Sequence, residues 1–109
     1  TLFRSVLLSL KDRGVERVVN IGCDRESSRS SVLLAEQFDF VWAAVGIHPH
    51  SATELDEDAL EELRRLAAHP RVVAIGEIGL DYHWEPEKKE RQKEALCAQM
   101  ELAGRLRRA

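Results

Sequence analysis

Apolar positions along the chain alternate between two rhythms. In residues 2 to 13, LFRSVLLSLKDR, the residues Leu2, Val6, Leu7 and Leu10 share one face at helical spacing. Gly14 then supplies the stop expected of a C-terminal glycine. A short β-branched run follows, VERVVNIGC, and predicts a buried strand from about Glu16 to Ile21. RESSRSSVLLAEQF returns to helix behind a serine-rich entry suited to N-capping. FDFVWAAVGI reads as a second strand and HPHSATELD as a loop. EDALEELRRLAAH predicts an amphipathic helix with Leu60, Leu63, Leu66 and Ala67 inward, closed by Pro70. RVVAIGEIG is the third strand and LDYHWEPEK a loop. KERQKEALCAQMELAGRLRR is a long helix, with Leu96, Met100, Ala103 and Leu106 expected on its buried face. Glu87 and Glu90 stand near its start and Arg105, Arg107 and Arg108 near its end, the right way round for the helix dipole.

The order is therefore αβαβαβα. The strands are apolar runs rather than alternating ones, which predicts a parallel sheet with helices on its faces. Two α/β architectures fit: part of a (β/α)₈ TIM barrel, or a small doubly wound sheet. In both, chemistry collects at the C-terminal ends of the strands.

Those ends carry NIGCD, GIHPH and GEIGLDYH. The third raises a question, because the apolar run Val72 to Gly76 leads straight into Glu77. An ionised carboxylate taken out of water is costly unless something pairs with it. If Glu77 stands at the mouth of the sheet, its partner is a divalent metal ion or a basic side chain from a neighbouring element. His48, His50, Asp81, Tyr82 and His83 are expected on the same rim. His48 and His50 have the one-residue gap of a shared ligand pair, but Pro49 makes the segment a turn. The favoured reading is that one histidine faces the site and the other acts as a local cap. Asp81 could ligate, but a local Asx turn is favoured. Tyr82 and Trp84 read as cover for the sheet end, and His69 as a solvated helix-end residue. Cys23 lies near the rim without an evident base.

Charge and composition narrow the function. The 109 residues are 32% charged with a net charge of -3 and a pI near 5.8. There is no basic field to attract nucleic acid, so such chemistry needs metal ions or a local site. Two distant cysteines, Cys23 and Cys97, make no disulfide framework and point to a reduced, cytoplasmic setting. No apolar run reaches the roughly 18 residues of a membrane span, and no signal peptide is evident. The chain opens on Thr1 rather than Met and stops on Ala109 just after a helical pattern. Residues 1–109 therefore read as one segment truncated at both ends.

GIHPH, then AIGEIGLDYHW, then RQKEALCAQMELAGRL, in that order, resembles the TatD family of metal-dependent deoxyribonucleases. The resemblance spans essentially the whole chain, although Leu96 replaces the usual phenylalanine. It implies a TIM-barrel hydrolase of the amidohydrolase type. It further implies two divalent cations (Mg²⁺, Mn²⁺ or Zn²⁺) and cleavage of phosphodiesters in DNA, single-stranded or at ends, with no obligate protein partner. On this resemblance Glu77 is a metal ligand, and His48 is the catalytic imidazole beside the scissile phosphate. His50, Asp81 and Tyr82 support the site or bind substrate. The family's first His-x-His pair belongs before Thr1, and its later histidines and aspartate lie beyond the fourth strand. A barrel takes about 250 residues, so this chain corresponds to about strands two to four. A lone carboxylate cannot hold two metals, and the 109-residue chain alone is expected to be inactive and, with open sheet edges, prone to self-association. The alternatives are a related metallohydrolase with another substrate, such as an aminoacyl-tRNA deacylase or a cyclic-amide hydrolase, and a non-catalytic α/β module.

Overall fold

A computed structural model describes residues 2–106. The elements are α1 (Leu2–Asp12), β1 (Val18–Ile21), α2 (Arg25–Gln37), β2 (Val41–Val45), a 3₁₀ segment (Pro49–Glu54), α3 (Glu57–Ala67), β3 (Val72–Ile75), a 3₁₀ turn (Pro86–Lys88) and α4 (Lys89–Leu106). The strands form one parallel sheet in the order β1-β2-β3. The helix following each strand returns the chain so that the next strand can run parallel. The element order and the parallel sheet are those read from the sequence. Arg107 and Arg108, expected to end the last helix, lie outside the described residues.

The strands are shorter than the apolar runs suggest. β1 starts at Val18, not Glu16, and β2 covers only Val41–Val45. Phe38 and Phe40 stand before β2 and pack edge to face, 6.0 Å apart, in the core. β3 stops at Ile75 because its last ladder bond, Gly76 N–H to the Val45 carbonyl at 2.9 Å, exhausts its partner strand. The expected loop after His48 is instead wound into 3₁₀ turns. The N-cap of α2 is Asp24, which accepts from the Ser27 N–H in a reciprocal capping box. Of the serines beyond the cap, Ser28 and Ser31 turn inward and are fully buried, whereas Ser30 is exposed.

One face of the sheet is closed. Val41, Ala43, Val45, Val72 and Ile75 pack there with Leu7, Val32, Leu63, Ala67 and Leu102. The strand β1, expected to be buried, is not: Val19 and Ile21 are exposed. Among the described residues helices cover one side of β1 only. Within α1, Leu7 is buried but Val6 is exposed; the Leu2 side chain lies outside the described set. In α3, Leu63 and Ala67 are buried, with Leu60 and Leu66 packed against them as expected. Arg25 and Arg29 of α2 both bind Glu62 of α3, locking the two helices together.

The largest departure is in α4. Its buried line is Gln92, Ala95, Gln99 and Leu102; of the expected face, Ala103 and Leu106 pack against the core, whereas Met100 is exposed and Leu96 half-buried. The helix is rotated from the apolar stripe because its inner face meets backbone amides and carbonyls at the strand ends. Those groups need hydrogen-bond partners that leucine and methionine lack.

Candidate active site

The segment leading into His48 is held from three directions. Gly46 N–H donates to Ser28 Oγ (3.0 Å), and the same hydroxyl donates to the Gly46 carbonyl (3.1 Å). Ile47 N–H donates to Gln99 Oε1 (2.7 Å), and Gln99 Nε2 donates back to the Ile47 carbonyl (3.1 Å). His48 N–H donates to the Cys23 carbonyl (2.7 Å). Three successive amides are thus bound by α2, by α4 and by the turn after β1. The strand ends can approach this closely because Gly46 has no side chain: a Cβ there would lie 2.8 Å from the Gly76 backbone. Beyond it, Glu77 N–H reaches the Gly22 carbonyl at 2.8 Å, tying the end of β3 to the end of β1.

Two histidine–carboxylate pairs stand on this rim. His48 Nε2 lies 3.5 Å from Glu77 Oε1, and His50 Nε2 lies 2.8 Å from Asp81 Oδ2. The imidazoles meet edge to face at 4.7 Å. The backbone N–H of His50 donates to His48 Nδ1 at 3.1 Å. A neutral His48 with Nδ1 accepting carries its proton on Nε2, the nitrogen facing Glu77. In this arrangement His48 is a donor at the mouth, not a lone-pair ligand. It also supplies the cap foreseen for one of the two histidines, while both rings face the site.

Glu77 is not buried. It follows the strand rather than lying within it, and its side chain is 62% exposed. No burial penalty arises, and its neighbour in the structure is His48. Asp81 forms the local turn, with Oδ1 accepting from Trp84 N–H at 3.0 Å, while Oδ2 takes His50. The Trp84 N–H first, and His50 after it, hold the Asp81 carboxyl below the usual aspartate range. Tyr82 takes no part in either pair; the Lys89 ammonium stands 5.2 Å above its ring. Trp84, expected as cover, is exposed. His69 is not simply solvated: its Nδ1 accepts from Arg71 N–H at 3.0 Å, and its Nε2 lies 3.4 Å from Glu36.

Gln92 makes the second clamp. Its Oε1 accepts from Asp81 N–H (2.7 Å), and its Nε2 donates to the Asp81 and Glu85 carbonyls (each 3.0 Å). Gln92, Gln99 and Ser28 do not register as site residues from sequence. The available signal was polar side chains breaking an apolar helix face, which reads as surface until the helix is docked.

Glu77 presents an open oxygen, the chemistry a hard divalent cation takes. Among the described residues, however, no three His, Cys, Asp or Glu side chains converge closely enough to hold an ion. These residues do not make a metal site by themselves.

Residues 3–109 match the family described as TatD related DNase. The chain belongs to the TatD-related DNase family. It is 42% identical over 103 residues to the uncharacterized metal-dependent hydrolase YabD of Bacillus subtilis, covering 94% of this chain and 40% of that protein. It is 39% identical over 104 residues to the 3'-5' ssDNA/RNA exonuclease TatD of Pantoea vagans, again 94% of this chain and 40% of the relative. The crystal structure of the TatD homologue YJJV from Escherichia coli superposes with a TM-score of 0.78 at 32% identity, over 87% of this chain and 38% of that one. The fold is thus that of part of a TatD-type α/β barrel. The chain spans about two-fifths of the length of these TatD relatives. No helix among the described residues is long and apolar enough to cross a membrane.

Proposed function

We propose that this chain is a segment of a metal-dependent phosphodiesterase that hydrolyses single-stranded DNA, with His48 and Glu77 at its reacting rim. The observation that carries this reading is the convergence of His48 Nε2 and Glu77 Oε1, 3.5 Å apart, beyond the C-terminal ends of adjacent parallel strands. Glu77 is the ligand of choice for a divalent cation, one of two drawn from Mg²⁺, Mn²⁺ or Zn²⁺. When bound, such ions supply positive charge to a phosphate and acidify water. The chain's own contribution is different. His48 offers Nε2–H as a hydrogen-bond donor beside the phosphate, and the clamped backbone from Gly46 to His48 keeps that donor in place. His50 and Asp81 brace His48 from the side. Cys23 and Cys97, exposed and not joined in a disulfide, fit a cytoplasmic enzyme.

The test uses the whole protein with single-stranded DNA, duplex DNA and RNA labelled at either end, and with each metal in turn. Metal-dependent release of nucleotides that is lost in Glu77→Gln supports the reading. Turnover unaffected by Glu77→Gln and His48→Ala sinks it. The 109-residue chain alone is expected to release no nucleotide, because its described residues hold no complete metal site.

A further inference from the structure

We infer that Gln99 and Gln92 are positioning residues, each clamping the backbone that carries one member of a different histidine–carboxylate pair. The inference rests on the reading of this rim as the active site, and its test needs neither metal nor substrate. Both side chains are at most 1% exposed. Burying a primary amide is unfavourable unless its donor and acceptor are both used. Here each amide closes on the N–H and the C=O of a single residue: Gln99 on Ile47 and Gln92 on Asp81. Each glutamine thereby does for one residue what a neighbouring strand does in a sheet. The residues held are Ile47, immediately before His48, and Asp81, whose carboxylate holds His50. The glutamines are two turns apart on one face of α4, which puts about 10 Å of rigid helix between the clamps. Filling space alone would be served by leucine or methionine, yet the helix leaves Met100 exposed and buries the two glutamines. The clamps themselves share no bond: among the described residues no hydrogen bond joins the Gln99 amide to the Asp81 loop, or the Gln92 amide to the Ile47 segment, although the histidines they position touch, with His50 N–H donating to His48 Nδ1 and the rings 4.7 Å apart.

The test is carried out on the whole protein with Gln99→Met and Gln92→Met, reading histidine ring correlations and amide hydrogen exchange by NMR. Gln99→Met should strip protection from the Ile47 amide and leave the Asp81 amide protected, and it should shift the His48 ring signals more than those of His50, whose ring touches it. Gln92→Met should do the reverse. If both variants disturb both histidines equally, or neither disturbs either, the glutamines are only packing elements and the inference is overturned. Should a methionine variant lose its dispersed spectrum, the corresponding Gln→Glu variant replaces it. Its protonated carboxyl can still accept from the clamped N–H and donate to the clamped carbonyl, so it should restore the native ring signals of its own histidine. Failure of that rescue in a folded variant also overturns the inference. Loss of the nuclease reading would leave these spectra unchanged, so the two failures are distinguishable.

Discussion

The two histidine–carboxylate pairs differ in how completely they are satisfied. Asp81 accepts from His50 and from the Trp84 amide, its backbone is clamped by Gln92, and its side chain is 18% exposed. Glu77 has the longer 3.5 Å contact to His48, and most of its carboxylate faces solvent. A saturated carboxylate holds its neighbours, whereas an unsaturated one on the same rim is free to take up a ligand. The contrast separates bracing from chemistry more sharply than residue type does, since both pairs are a histidine and an acid.

Breaking the open pair should have the largest effect. In the complete protein, Glu77→Gln should lower nucleotide release by at least about 100-fold. Asp81→Asn, which weakens only a bracing partner, should cost about 10-fold. Equal losses in steady-state assays would erase the distinction. Gly46→Ala comes next, because the new Cβ meets the Gly76 backbone at 2.8 Å. It should cost about 1–3 kcal/mol in denaturant unfolding and separate His48 from Glu77, while His50 stays on Asp81. Ser28→Ala leaves the Gly46 N–H and carbonyl without their buried partner and should cost a similar 1–3 kcal/mol or about that.

Acid sharpens the comparison further. Asp81 is held below its ordinary value of 3.8, so its contact with His50 is present above that pH and should survive acidification past it. NMR titration of the His50 ring checks this. Glu62 serves as the control away from the rim. Hydrogen bonds from Arg29, and secondarily Arg25, pull its pKa from 4.5 to about 2. Its folded value is depressed, so its contribution is complete above pH 4.5 and is lost as pH falls through about 2. Glu62→Gln should flatten that acid limb, cost about 1–2 kcal/mol at neutral pH and leave both histidine pairs untouched.

Much of this was legible in the chain. The β-branched runs, the glycines at their ends and the amphipathic α3 fixed the element order and the parallel sheet, because these are local signals. GIHPH and GEIGLDY placed His48, His50, Glu77 and Asp81 near one another once the strands were parallel. The pairing was not legible. Nothing in sequence says that His50 reaches Asp81 across 31 positions while His48 faces Glu77. The orientation of α4 was only half legible, with Ala103 and Leu106 packed inward as expected and Met100 not, for a related reason. Helical periodicity counts apolar side chains, but the surface receiving α4 is partly bare backbone, and there a glutamine is the better fit. The exposure of Val19 and Ile21 also departs from the reading of β1 as buried, since a β-branched run looks the same whether one face or two are covered.

The clamped amides from Gly46 to His48 also set a clock. In most strands an amide is protected by the strand beside it and exchanges when the sheet opens. At Gly46 and Ile47 the acceptors are side chains of α2 and α4. Deuterium therefore enters these two positions at the rate the helices lift away, while the sheet beneath can remain intact. Gly46 keeps time for α2 and Ile47 for α4, so one exchange experiment reads the undocking of each helix separately, at the residues adjoining the reactive rim.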